Sequence, residues 1–293
     1  MRRLSSAFLM PLILCCAALL ASACSMVSLG YATAPTLLAW RASRYFDLDS
    51  AQQSQLRARL EHVRDWHRRE ELPRVIATLG DARRRADGPV TPADAEWFIA
   101  SVQDHYRVAL ARVIDETIDL TAALGPPNVA ALQRRLADEE DEFDEKWIDP
   151  PPDEIRRERY ERVLDDVEDW LGPLSRAQRQ WLKTRLDALP LEYAAWQADR
   201  RRRQREFVAL LQSQVRNGVR TVGAEEPFVA QLRRWALDWD RGRSPEELVR
   251  VDRFVRDYCA IGVELVNDAS PAQREHLRRR LATLIADLSR ELR

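Results

Sequence analysis

Apolar residues recur along most of this chain at the three-and-four spacing of an α-helix, not at the alternate spacing of a strand. Leu56, Leu60, Val63 and His67 fall on one stripe, and Phe98, Val102, Tyr106, Ala109, Val113, Thr117, Leu120 and Leu124 continue another. Each stripe covers one face of an amphipathic helix. Thr91-Pro92-Ala93-Asp94 offers an N-cap with proline at the first helical position, and Gly125-Pro126-Pro127 closes the run. The enclosed helix is expected to hold about 33 residues and to span roughly 50 Å at 1.5 Å per residue. The same periodicity predicts helices over 128–147, 152–171, 176–188, 191–217, 225–240, 245–267 and 271–292. Strand-like runs bounded by turn signals are absent from the sequence, so the expected fold class is all-α: an elongated multi-helix bundle or a curved array of long amphipathic helices.

The joints carry proline and glycine. Pro150-Pro151-Pro152 favours stiff extended backbone, which sets an expected boundary between an N-terminal helical half, 35–149, and a C-terminal half, 150–293, unless the two form one continuous domain. A short repeat marks three helix starts, with Asp49 and Gln52, Ser175 and Gln178, and Ser270 and Gln273 in the cap and third positions. In this arrangement the cap side chain accepts from an orphan N–H while the glutamine reaches back to the cap. A shared downstream leucine (Leu56, Leu182, Leu277) and Arg-Leu pair extend the likeness. Convergent cap chemistry and ancient duplication both account for it.

The first residues change the picture. Arg2 and Arg3 precede an apolar stretch over 7–20, and Ala21-Ser22-Ala23-Cys24 ends it with small residues. That layout reads as a lipoprotein signal peptide over 1–23, with Cys24 as the lipid-attachment residue and 24–34 as a short tether. Ala21 stands where leucine is usual, and Leu20 lies one step further back. Ordinary secretion and an uncleaved anchor are the alternatives. Ser25, where an aspartate would retain the protein at the inner membrane, implies the outer membrane facing the periplasm. Removal of 1–23 takes away Arg2 and Arg3 and no acid, leaving 44 basic against 47 acidic residues. That balance disfavours a nucleic-acid partner. Beyond Cys24 the only cysteine is Cys259, so no internal disulfide is available and the residue is expected to be a buried thiol.

Candidate chemistry is sparse. The chain has no glycine-rich phosphate loop, nucleophile elbow or paired-cysteine spacing, so no catalytic residue, cofactor or metal is assigned. The best metal reading sets His67 against Glu70 or Glu71, and one such pair falls far short of a site. The run Trp66-His67-Arg68-Arg69-Glu70-Glu71-Leu72-Pro73 is more informative. Pro73 removes the N–H that the Arg69 carbonyl needs and disfavours helical angles at Leu72, so the helix is expected to kink or break there. Arg68 or Arg69 would then serve the freed carbonyls, Trp66 and Leu72 would pack under the bend, and His67 would face Glu70 or Glu71. Two readings stay open: a packed structural corner, or a partner-binding knuckle presenting Trp66, His67, Arg68, Glu70, Glu71 and Pro73. The acidic run 138–145 and the basic run 200–205 read as solvated helix faces, and Trp235 and Trp239 as core or groove.

Tyr45-Phe46-Asp47-Leu48 followed by Gln52, the segment Trp66 to Pro73, and Ser25 to Tyr31 resemble a family of proteobacterial lipoproteins known as a domain of unknown function. The resemblance implies a lipid-anchored helical protein and brings no activity or catalytic residues. Leu48-Asp49-x-x-Gln52 and Leu174-Ser175-x-x-Gln178 are similar to the Leu-Thr-x-x-Gln motif of the Spy and CpxP group of small periplasmic stress proteins, although threonine is absent from all three copies. The expected function is that of an envelope lipoprotein, held at the membrane by its lipid anchor, that binds an envelope protein as a scaffold, assembly factor or chaperone-like accessory. An enzyme with an unrecognised helical site near His67, or a lipid or lipopolysaccharide binder using arginine faces, are the alternatives.

Overall fold

The computed structural model describes residues 23–217 and 226–293. The expected signal peptide falls almost wholly outside the described residues. Every described element is helical. Helix α1 (Ala23–Phe46) turns through Asp47, whose φ of 49° is left-handed, into α2 (Ser50–Trp66). A π-helical turn (His67–Glu71) joins α2 to α3 (Leu72–Arg85), and α4 (Pro92–Ala122) follows. Next come α5 (Pro126–Trp147), α6 (Pro152–Leu171), α7 (Arg176–Ala188), α8 (Tyr193–Asn217), α9 (Glu226–Leu237), α10 (Pro245–Asn267) and α11 (Pro271–Arg290).

The starts follow from local chemistry. Asp49, Thr91, Ser175, Ser244 and Ser270 each accept from the backbone N–H three residues on, and the side chain at that third position returns the bond, so each helix begins in a closed capping box. Gly172 ends α6 with φ +78°, a left-handed angle that a side chain disfavours. Residues 24–34 belong to α1, so the expected tether is a helix. Ten helical residues advance only about 15 Å, less than half their extended reach.

The helices bury four apolar clusters. One gathers Leu171, Leu182, Leu186, Phe254, Ile261 and Leu265 from α6, α7 and α10. A second joins Ile114, Val129 and Leu132 of α4 and α5 to Leu211, Phe228 and Leu232 of α8 and α9. A third sets Leu72 and Leu79 of α3 against Leu281, Leu284 and Leu288 of α11. The smallest surrounds Phe143, Trp147 and Ile155. The second and third clusters draw residues from both sides of Pro150, so that joint turns the chain without dividing its core.

Polar seams run between the same helices. Glu140 and Asp144 of α5 both accept from Arg201 of α8, at 2.9 and 3.0 Å. Arg200 donates to the Glu139 carbonyl and lies 4.8 Å over the Phe143 ring, while Arg203, 8% exposed, donates to the Trp235 carbonyl. The acidic and basic runs therefore face each other, and the expectation of two solvated faces is corrected. Arginine allows this because its alkyl stem packs against apolar neighbours while its planar fork reaches several acceptors. Trp235 stacks on Phe207 at 4.4 Å against the second cluster, and Trp239, also half-buried, meets Tyr106 edge-on at 5.1 Å, so both pack against neighbouring rings.

Candidate functional site

The segment around Pro73 remains helical. Leu72 keeps right-handed helical angles (φ −58°, ψ −39°) and its N–H bonds the His67 carbonyl, five residues back instead of four. This corrects the expected break and the expected non-helical Leu72. The widened turn relieves the crowding between the proline ring and the Arg69 carbonyl by accommodating one extra residue, and Pro73 becomes an N-terminal residue of α3, where its missing N–H is harmless. Arg68, Arg69, Glu70 and Pro73 are exposed, so no broken helix end requires the arginines as caps.

The extra residue turns Glu71 inward. Its side chain lies between α3 and α4 and is 2% exposed. Oε2 accepts from Arg74 at 2.9 Å, and Oε1 accepts from Nδ1 of His105 on α4. Across the ring, His105 Nε2 lies 2.9 Å from the Thr78 hydroxyl. Sequence spacing paired Glu71 with His67; the structure pairs it with His105 and directs His67 elsewhere. Nδ1 of His67 lies 2.9 Å from the hydroxyl of Tyr31 on α1, which is also 3.4 Å from the Arg64 carbonyl. Burial pulls His67 below the ordinary histidine value, with Glu71 opposing the shift and His105 adding to it. Burial likewise pushes the Tyr31 hydroxyl up to about 12. Trp66 is half-buried, with its ring edge against His67 and Arg112 5.6 Å over it, while Leu72 packs into the cluster shared with α11.

Thr78, His105 and Glu71 stand in the order of a hydroxyl, a base and an orienting carboxylate. Acyl-transfer chemistry also needs free backbone N–H groups beside the hydroxyl, and Thr78 lies in mid-helix, where those N–H groups already bond carbonyls of the preceding turn. A cavity of about 20 Å³ lies elsewhere, beside Trp196 and Phe254, with room for about one water. An open hollow of about 320 Å³ is lined by Tyr160, Arg176, Arg179 and Lys183. Among the described residues no three His, Cys, Asp or Glu side chains gather at metal-holding distances. Cys259 is partly buried, and burial pushes its thiol up, away from the reactive thiolate.

The cap repeats divide. Gln178 and Gln273 meet at the starts of α7 and α11, each side-chain NH₂ donating to the other's carbonyl oxygen at 3.2 and 3.1 Å. Gln178 also donates to the Asp268 carbonyl and Gln273 to the Pro173 carbonyl, so the Ser175 and Ser270 caps lock onto one another. Asp49 and Gln52 form the same box alone and exposed. The sequence profile of a family of unknown function, DUF6279, matches residues 44–223. The chain belongs to this family. No curated protein and no solved structure matches it. The DUF6279 span takes in the π turn, Glu71 and His105, begins at Arg44 near the end of α1, and leaves Cys24, Leu37, Leu38, Trp40 and Arg41 outside it.

Sequence reasoning missed His105 and Tyr31 as partners of the π turn. It also missed Arg159, 6% exposed, which donates to the carbonyls of Leu186, Leu189 and Pro190 at the end of α7. A proline inside a helical run, two residues after a pair of glutamates, was the only local signal for the first pair.

Proposed function

We propose that this protein is a lipid-anchored envelope protein, acylated at Cys24 and held at the outer membrane facing the periplasm, that acts by binding another envelope protein. The observation that carries the binding role is the closure of the Glu71 cluster: its acid, base and hydroxyl are committed to one another inside the helix packing, which leaves the helical surfaces as the working part. Glu71 is too buried to touch a partner, so Trp66 to Pro73 acts as a corner, with Arg68, Arg69 and Glu70 on its outer side. The lipid attachment rests on Arg2, Arg3, the apolar stretch over 7–20 and Ala21-Ser22-Ala23-Cys24. No described helix is long and apolar enough to cross a membrane, so an acyl group fits the need for an anchor.

Photo-crosslinking of the full acylated protein in native envelopes tests the binding role. With photoreactive residues spread over the exposed faces of α2, α6 and α10, discrete adducts of reproducible mass are expected from one face. Adducts from no face, with the protein abundant and folded, would contradict it. The Thr78–His105–Glu71 order favours an acyl-transfer enzyme as a second reading. Labelling of Thr78 by a fluorophosphonate, lost in His105→Ala, would establish that reading instead.

A further inference from the structure

Helix α1 is built inside out. Its inner side, packed on α2, α5 and α11, buries the small residues Pro35 and Ala39, the latter only 1% exposed. Its outer side carries Leu37, Leu38 and Trp40 at 55%, 51% and 51% exposure, half of the exposed large hydrophobics among the described residues. An ordinary surface helix turns its large apolar residues to the core and its charges to water. Here the core side needs small residues so that three helices can approach closely, and the large ones are left outside.

The charges on this helix are equally uneven. Arg41 and Arg44 are exposed, and α1 contains no Asp or Glu. In a molecule laced with Arg–carboxylate pairs, neither arginine has an acidic partner among the described residues; Arg44 instead lies 5.2 Å over the Trp40 ring and Arg41 5.9 Å over Tyr45. An apolar strip with tryptophan at its edge and unpaired arginines beside it has the chemistry of a helix lying in a lipid interface, with leucine and indole among acyl chains and guanidinium groups at headgroup phosphates.

We propose that the outer face of α1 rests on a phospholipid leaflet, with Leu37, Leu38 and Trp40 inserted and Arg41 and Arg44 bound to anionic headgroups. This deepens the lipid-anchor reading and rests on it for the orientation of the helix. Cys24 begins the same helix, and Leu37 lies 13 residues on, about 20 Å along the axis, so an acyl group at Cys24 holds the strip at the leaflet. Three half-exposed side chains present on the order of 300 Å², well below the ~800 Å² per partner of a stable protein interface. A leaflet makes no such demand, because the acyl chains at Cys24 supply the main attachment and each inserted side chain only adds to it.

The test uses the full chain with p-benzoylphenylalanine at position 37 or 40, and at position 249 as a control, since Val249 is 61% exposed on α10. The protein is inserted in vesicles of phosphatidylethanolamine with phosphatidylglycerol and irradiated. Lipid adducts are expected at 37 and 40, at least fivefold above position 249. Arg41→Glu with Arg44→Glu should reduce the adducts several-fold and remove any preference for phosphatidylglycerol over phosphatidylcholine, with thermal unfolding changed little because each exposed arginine gives up only a ring contact and no ion pair. Adduct yields at 37 and 40 equal to that at 249, or adducts that are dimers of the chain or other proteins, overturn the proposal. Lipid adducts from protein whose Cys24 carries no acyl group would leave the leaflet face standing and remove the anchor reading alone.

Discussion

At the scale of single residues, Glu71 governs the corner. A buried carboxylate is tolerable only while its donors remain, and its donors differ: the His105 side chain is 15% exposed, the Arg74 side chain 54%. Loss of Arg74 removes a partner that water replaces. Loss of His105 leaves a cavity and an unmet carboxylate oxygen inside the packing. His105→Ala is therefore expected to lower unfolding stability by about 3 kcal/mol and Arg74→Ala by under about 1 kcal/mol, read by urea unfolding. Equal losses would show that Glu71 is not the buried group described here. His67 adds a pH dependence. Its folded value lies below its unfolded one, so its contribution is fully present above about pH 6.5 and is lost as acid protonates the unfolded chain first. Acidification from pH 7.5 to 5.5 should reduce stability less in His67→Gln than in the parent. The partner of Glu71 was not legible in the sequence, because helical spacing pairs only neighbours on one helix and His105 lies 34 residues away on another.

At the scale of elements, the caps made the helices legible. Ser175, Ser244 and Ser270 begin helices where their sequence context predicted, and Asn128, Leu191 and Glu225 miss the observed starts by only a residue or two. The π turn was harder, because Pro73 is compatible with a break, a kink or a widened turn. Which one forms depends on what the extra residue gains, and here Glu71 gains Arg74 and His105. Deleting Glu70 removes that extra residue, returns the turn to α-helical spacing and sets the Pro73 ring against the carbonyl four residues before it. Glu71 then leaves the inward position that the widened turn gives it. The deletion should lower the melting temperature by about 10 °C or more, whereas Glu70→Ala, which keeps the residue count, should leave it nearly unchanged. Similar melting temperatures for the two variants would refute the role assigned to the widened turn.

At the scale of the whole molecule, the all-α class followed from periodicity and composition, and the sharing of cores across Pro150 did not. Proline fixes the local direction of the chain but says nothing about which distant helices meet. The charged runs show the same limit: each looked like a solvated face alone, and only the approach of α5 to α8 pairs Glu140 and Asp144 with Arg201. Under the proposed lipid attachment, the outer face of α1 and the Cys24 motif would orient the molecule, with α1 on the leaflet and the Glu71 corner held in the packing. The proposed place of the protein in the envelope depends on that attachment. The most direct test is the mass of the N-terminal peptide from protein extracted from the envelope of cells expressing the full chain. The account predicts a peptide that begins at Cys24 and carries a diacylglyceryl group. A peptide that begins elsewhere, or Cys24 with a free thiol, contradicts it.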